Sequence, residues 1–269
     1  LPSYVQDAQR VVHVRREWVQ GNIEKGLLPL YTHNFMDLNS QYNTVGITGM
    51  YEAGYFLGKT NDLNGAYLTF AKDTLNIINT INLEQAKKEG VPYNMEQVPA
   101  ENQAVKLAAK DAFLGLQTEF KLYSNQWVPL SANVDIFTRI NLAGQLDQMC
   151  SGGAILHITV DGKVSATVQE QLLTYAAERG VVYLAFNYII SKCKSCGYIE
   201  AGDMNTCPKC GVTGAIEQFT RVVGYITPVS NWSKERRAEY HDRERYALDV
   251  RQKEFMALKK DNEIYSESA

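Results

Sequence analysis

The chain has 269 residues, 45% of them hydrophobic and 21% charged, with a formal net charge of -3. This length supports one large domain or two small ones with an ample core, and the near balance of charge excludes a broad electrostatic attraction to nucleic acid or an anionic membrane. No apolar run approaches the roughly 18 residues a membrane span needs, and Leu1-Pro2-Ser3-Tyr4 lacks the basic and apolar regions of a signal peptide.

Ser3 to Lys25 reads as a helix, with Ser3 and Gln6 spaced as a capping box and Gly26 at the position of a C-terminal glycine. Ala8, Val11, Val12, Arg15, Trp18, Val19 and Asn22 recur at helical spacing and predict one largely apolar stripe. His13 beside it is given no role. Leu27 to Phe35 is a strand-like run. From Tyr42 to Gly54, the glycines Gly46, Gly49 and Gly54 predict a tight turn into a helix, either packed against a core or lining a substrate. No Gly-Lys-Ser/Thr follows, so this is not a phosphate loop. Asp62 to Glu89 is a long helix with Leu68, Ala71, Leu75, Ile78 and Asn82 on its inner face and Gly90 as its stop.

Tyr93 to Glu101 predicts a strand running into a loop, because Pro99 holds Val98 extended. Glu96 and Glu101 bracket that proline turn, as a working carboxylate pair or a solvated loop. Ala104 to Asp111 reads as helix, Ser124 to Leu130 as loop, Val134 to Met149 as helix and Cys150 to Gly153 as a turn. Ala154 to Val160 is a strand ending in the turn pair Asp161-Gly162. Thr167 with Glu170 caps a helix that ends at Arg179-Gly180. Val181 to Ile190 is almost wholly apolar and predicts a strand buried on both faces. Strand, helix and strand with short links make a parallel βαβ unit, so the class is α/β. After Pro228, Asn231 begins a charged helix running to about Lys260, whose interleaved signs predict a solvated face. The last residues, 263–269, read as a frayed tail.

Four of the five cysteines form two Cys-x-x-Cys pairs, Cys193 with Cys196 and Cys207 with Cys210, and Cys150 stands alone. This grouping points to a metal and a reducing cytoplasm rather than to disulfides. Two such knuckles supply the four thiolates that structural zinc prefers, with Gly197 and Gly211 placed for the positive φ a knuckle uses; an iron–sulfur cluster is the alternative. A ribbon of this kind also serves as a nucleic-acid or partner-binding module, but Lys194, Tyr198 and Lys209 are too few to favour that. Just beyond lies Arg221-Val222-Val223-Gly224-Tyr225. A glycine can carry a radical at Cα, where loss of hydrogen leaves a planar centre shared between the flanking amide nitrogen and carbonyl, with no side chain to resist flattening. By itself, the string also reads as a turn glycine in a β segment.

The order of these segments resembles the C-terminal part of the anaerobic (class III) ribonucleotide reductases. Tyr93 to Glu101 looks like their Asn-x-Glu-x-x-Pro-Ala-Glu segment, and Gln126 to Leu130 is similar to their Gln-x-x-Pro stretch. Ser151 to His157 resembles their Gly-Gly-Thr-x-x-His strand with Ala154 in place of Thr. Thr44 to Gly49 resembles their Thr-x-Gly-x-x-Gly, and Arg221 to Tyr225 their glycyl loop, with Val223 where Cys or Thr is common.

The resemblance implies half of a ten-stranded α/β barrel of the glycyl radical enzyme type at residues 1–190. It places a zinc ribbon at 191–214, a radical loop at 215–230 and a charged helix and tail at 231–269. It assigns the radical to Gly224, places Met95, Glu96 and Glu101 at the reacting centre, puts Asn94, Gly46 and Gly49 on the substrate side, and gives Cys193, Cys196, Cys207 and Cys210 to zinc. It further implies ribonucleotide reduction to deoxyribonucleotides, of triphosphates, with formate as reductant. A radical-SAM activase would carry S-adenosylmethionine and an iron–sulfur cluster.

The family's finger-loop cysteine has no counterpart before Thr44, and Cys150 lies at the wrong motif to replace it. The chain also lacks an initiator Met. It is therefore expected to work with a partner carrying the thiyl cysteine, as a homodimer of the assembled enzyme in the cytoplasm, without membrane or nucleic acid, and to expose sizeable apolar surface when alone. The alternatives are another glycyl radical enzyme, such as a pyruvate formate-lyase relative, and a non-enzymatic zinc-ribbon binding protein.

Overall fold

The computed structural model describes residues 1–222 and 224–248. Its frame is an arc of parallel strands backed by helices. Strand β1 (Asn43–Ile47) pairs in parallel with β2 (Tyr93–Gln97), and β3 (Leu156–Thr159) with β4 (Leu184–Asn187). The two pairs join through the backbone before β3: Gln97 N donates to Gly153 O at 3.0 Å and Gly152 N to Met95 O at 2.8 Å. Where the ladder then diverges, side chains replace it. Gln97 Oε1 accepts from Ile155 N at 3.1 Å, and Gln126 Oε1 accepts from His157 N at 3.0 Å. Gln126 Nε2 also donates to Ile155 O at 2.9 Å, so one glutamine does a strand neighbour's work.

The alternation of strand side chains divides the arc into two faces. Val45, Ile47, Met95, Leu156 and Ile158 join one apolar cluster with the helices behind them. Those are α4 (Leu68–Glu89), α6 (Ile136–Asp147) and α7 (Ala166–Glu178). All five residues predicted for the inner face of α4 are buried, and Gly90 ends the helix at φ 69°. Asp62 starts it, accepting from Gly65 N and Ala66 N at 3.0 Å across the π-helical turn Leu63–Tyr67. Between β1 and α4 lies α3 (Met50–Phe56), and after β2 comes α5 (Glu101–Phe113). Gly144 lets α6 close on the end of α7, since a Cβ there would lie 2.0 Å from Arg179 O.

Helix α1 (Pro2–Glu24) forms as expected, with Gly26 at φ 71°, but its N-cap is Leu1, with no side-chain cap bond and no Ser3 capping box. Its inward residues are Val5 and Gln9. Gln9 Nε2 donates to Asn82 Oδ1 at 2.9 Å, and Asn82 Nδ2 to Asn94 O at 3.2 Å. The predicted stripe faces outward in part, Trp18 being 69% exposed and Val11 70%. The strand-like run after it is instead a short helix, α2 (Pro29–Thr32), because Pro29 at its first turn has the φ a helix start needs. Helix α7 is capped by Ser165, which accepts from Val168 N, rather than by Thr167. The apolar run 181–190 is not one buried strand: Val182 and Tyr183 are exposed, and the strand stops at Asn187.

The chain then builds an antiparallel sheet ordered β6-β5-β7-β8, from β5 (Ile190–Cys193), β6 (Ile199–Ala201), β7 (Ile216–Arg221) and β8 (Ile226–Pro228). Helix α8 (Lys234–Asp242) follows and is capped by Ser233. It ends well short of Lys260: Arg243 is already extended, and Tyr246 forms a parallel bridge with Val160 beside the arc. Position 223 and residues 249–269, including the predicted tail, lie outside the described residues.

Candidate functional site

The four paired cysteines converge, their sulfurs lying within 4.8 Å of one another. The knuckles repeat each other bond for bond. Cys193 N donates to Tyr198 O at 2.8 Å and Gly197 N to Cys193 O at 2.9 Å; Cys207 N donates to Val212 O at 3.0 Å and Gly211 N to Cys207 O at 2.8 Å. Gly197 and Gly211 turn the chain at φ 73° and 74°, as expected from their positions.

Sulfur separations of 3.7 Å for Cys193–Cys210 and 3.6 Å for Cys196–Cys207 match the roughly 3.8 Å edge of a tetrahedron with zinc–sulfur bonds of about 2.3 Å. The Cys196 backbone amide leads in holding the Cys193 thiol down to about 7. At Cys210 the Val212 amide also lowers the pKa, but desolvation and the neighbouring thiols outweigh it and push that thiol up to about 12. Four crowded thiols behave this way: one ionises first and then resists its neighbours until a cation balances them. Four thiolates with no open position are the donor set of a structural rather than a catalytic ion, and the geometry suits zinc.

The sheet carries this anchor to Gly224. At one end of β7, Ile216 pairs with Cys193; at the other, Arg221 pairs with Ile226. Five strand steps make this about 17 Å. Gly224 lies in the connection between β7 and β8, exposed, and a Cβ built on it would meet no atom of the described residues within 4 Å. The predicted ribbon, with β5 and β6, and the predicted loop, with β7 and β8, are thus parts of one sheet, joined where β7 pairs with β5.

On the arc, the face opposite the apolar cluster is polar. In register, Thr44 pairs with Asn94 and Gly46 with Glu96, so Gly46, Asn94 and Glu96 share that face. A Cβ on Gly46 would lie 2.5 Å from Val98 Cγ1, so any larger residue there would have to displace the Val98 side chain. Gly49 opens α3 at φ 76°, and its N–H donates to Ser124 O at 2.8 Å. Glu101 begins α5 just after Ala100 at φ 47° and is exposed. Met95 departs from its expected place: it is fully buried in the apolar cluster, on the strand face away from Asn94 and Glu96.

His157 and Thr159 on β3 and Asn187 on β4 extend the polar face, all buried. His157 Nδ1 lies 3.1 Å from Asn187 Oδ1, and burial lowers its pKa to about 4, so the ring is neutral at pH 7. Asn94 Oδ1, His157 Nε2, Thr159 Oγ1 and Asn187 Nδ2 have no partner among the described residues. Cys150 is buried, and burial pushes its thiol up to about 12, as befits a core residue rather than a nucleophile.

Residues 1–246 match the family model for anaerobic ribonucleoside-triphosphate reductase. The chain belongs to that family. A solved structure described as an anaerobic ribonucleotide reductase is 38% identical, with a TM-score of 0.82 over 91% of this chain and 40% of its own. The Thermotoga maritima anaerobic ribonucleotide reductase with glycerol in its active site is 38% identical, with a TM-score of 0.77 over 88% of this chain and 39% of that one. The same enzyme in complex with dATP and CTP is 39% identical, with a TM-score of 0.77 over 88% and 40%. The chain therefore spans about 40% of the length of the structures it resembles. No curated protein matches. Among the described residues no helix is long and apolar enough to cross a membrane.

Sequence reasoning missed two groups. Glu52 on α3 is buried, with Oε1 accepting from Ser124 N at 2.8 Å and Oε2 unpartnered, and burial raises its pKa to about 7. Arg236 and Arg243 were expected on a solvated face and are instead buried. Their signal was present in the spacing: residues 236, 239 and 243 fall at i, i+3 and i+7.

Proposed function

We propose that this chain supplies the radical-storing glycine and one wall of the active site of an anaerobic ribonucleotide reductase. That enzyme converts ribonucleoside triphosphates to deoxyribonucleotides for DNA synthesis in the cytoplasm. Gly224 carries the reading. It stands at an exposed hairpin tip hung from the sheet that bears the four cysteines, and nothing among the described residues packs against it to require a glycine. Its chemistry accounts for the residue where sterics do not: with hydrogen gone from Cα, the centre flattens and is shared with the flanking peptide groups.

In this reading a radical-SAM activase removes the Gly224 hydrogen. The glycyl radical takes hydrogen from a thiol on the remainder of the ten-stranded barrel, and the thiyl so formed abstracts the ribose 3′-hydrogen. The 2′-hydroxyl leaves as water, and formate supplies two electrons, leaving as carbon dioxide. Zinc holds the loop and enters no step. Asn94, with an unpartnered buried carbonyl oxygen, and the backbone at Gly46 and Gly49 face the substrate. Glu96 and Glu101 are the carboxylates available to move protons at the ribose hydroxyls. Met95 acts through the backbone, seating β2 against α4. The assembled enzyme is a homodimer.

The test is turnover. The chain, combined with a polypeptide carrying the rest of the barrel, is activated anaerobically and given a ribonucleoside triphosphate and formate. Deoxynucleotide is expected from the wild type and none from Gly224→Ala. Product from Gly224→Ala would refute the assignment.

A further inference from the structure

We infer that Arg236, Glu239 and Arg243 form a positioning strut that fixes the base of the Gly224 hairpin relative to the arc; the inference rests on the reading of Gly224 given above. The three side chains are 6%, 10% and 1% exposed. Arg243 grips Glu239 with two bonds, Nε to Oε1 at 2.8 Å and Nη2 to Oε2 at 3.2 Å, and Arg236 Nη1 reaches Oε2 at 3.5 Å. One carboxylate thus ties together two guanidiniums about two helical turns apart, the second just past the end of α8.

The outer ends of the strut hold backbone rather than side chains. Arg243 Nη1 donates to Arg221 O at 3.0 Å, at the last residue of β7. Arg236 Nη2 and Nε donate to Glu101 O at 3.2 and 3.4 Å, at the first residue of α5. The two carbonyls belong to the root of the radical loop and to the segment carrying Glu101. A bond to a carbonyl fixes the course of the chain whatever its side chains do, and a planar guanidinium bonded on several edges fixes angle as well as distance.

The rest of α8 and its lead-in hold the hairpin the same way. Tyr240 Oη donates to Gln218 Oε1 on β7 at 3.1 Å, and Trp232 Nε1 to Thr227 Oγ1 on β8 at 2.8 Å. The Arg243 guanidinium lies over the Trp232 ring at 5.4 Å. Both strands are clamped below the tip, while Gly224, Tyr225 and Ile226 are exposed. A clamped base and an open tip suit a glycine that must first be reached by an activating enzyme and then meet one thiol at a set place.

The experiment compares the full chain with Arg243→Met and Arg243→Lys, each checked for zinc content. Two readouts are taken: amide hydrogen exchange along the chain, and the anaerobic decay of the glycyl signal after activation. Arg243→Met is expected to keep its zinc, to exchange at least tenfold faster at residues 218–228 with α4 unchanged, and to lose the radical signal at least tenfold faster; Arg243→Lys should recover part of both. Should Arg243→Met lose its zinc, Thr227→Val, which removes only the indole's partner, is expected to loosen β8 in the same local way. Unchanged exchange at 218–228, or a uniform rise along the chain, would overturn the strut. If the wild type gives no glycyl signal, the reading of Gly224 fails, while the exchange data still judge the strut.

Discussion

The parallel arc and the C-terminal module are held by different forces. Behind the strands, one large apolar cluster runs continuously through α4, α6 and α7. Among the described residues the module has two small ones, Ile189, Val222, Val229, Trp232 and Tyr240 in the first, and Met204 beside the cysteines in the second. With so little apolar area to remove from water, the module depends on a closed thiolate site and on buried ion pairs, both of which are specific in geometry and easily lost when one partner goes. The arc is thus a fixed wall, and the module is a separately anchored arm carrying Gly224.

The difference is tested most strongly at the metal. Cys207→Ser removes one of four ligands, and a structural zinc site contributes on the order of 10–16 kcal/mol of apparent folding free energy. Zinc should be lost and protease should cut within residues 190–246 while the arc survives as a protected fragment; an intact module without zinc would mean its own packing suffices. The converse is Leu75→Ala, which opens a cavity in the middle of α4. It should cost about 2–5 kcal/mol, seen as a lower denaturation midpoint, with zinc content unchanged.

Burial of ionisable groups adds a pH signature to the arc. Glu52 titrates near 4.5 when unfolded and at about 7 when folded. Its protonated form is the one the fold favours, so its contribution is full below pH about 4.5 and disappears as pH rises through 7; a shift of this size corresponds to about 3 kcal/mol. His157 opposes it: its folded pKa is depressed from 6.5 to about 4, so its contribution is present above pH 6.5 and is lost as pH falls through about 4. Asp147, raised by burial from 3.8 to about 6, works in the same direction as Glu52 and offsets His157, so Glu52→Gln should raise stability at pH 8 relative to wild type and leave a curve that falls less between pH about 4.5 and about 7. A wild-type-like curve in denaturant titrations across that range would show that Glu52 is not the buried carboxyl responsible.

Where structure follows from local repetition, the sequence was readable. The inner face of α4 and the glycines of both knuckles were found because spacing alone determines them. Misreadings arose where a residue's environment is decided by distant chain. Arg236 and Arg243 carry ordinary surface chemistry; their spacing with Glu239 is local, but the Arg221 and Glu101 carbonyls that also meet them come from distant chain. Apolarity likewise reports that a segment is to be covered, not by what: Trp18, Phe35, Tyr183 and Phe113 are all exposed in this chain. Met95 reads as part of a functional motif, but strand alternation sends it to the core while its neighbours face the other way. The expected apolar surface and the barrel class agree with the structure; the predicted long C-terminal helix stops at Asp242 because Arg243 leaves it to reach the hairpin.

The most direct measurement is anaerobic electron paramagnetic resonance of the activated chain, made with ordinary glycine and with glycine deuterated at Cα. A radical at Gly224 keeps one α-hydrogen. The account predicts a doublet that collapses on deuteration and is absent from Gly224→Ala at equal zinc content. A doublet that persists in Gly224→Ala, or no signal from a zinc-loaded wild type beside a competent activase, would contradict it.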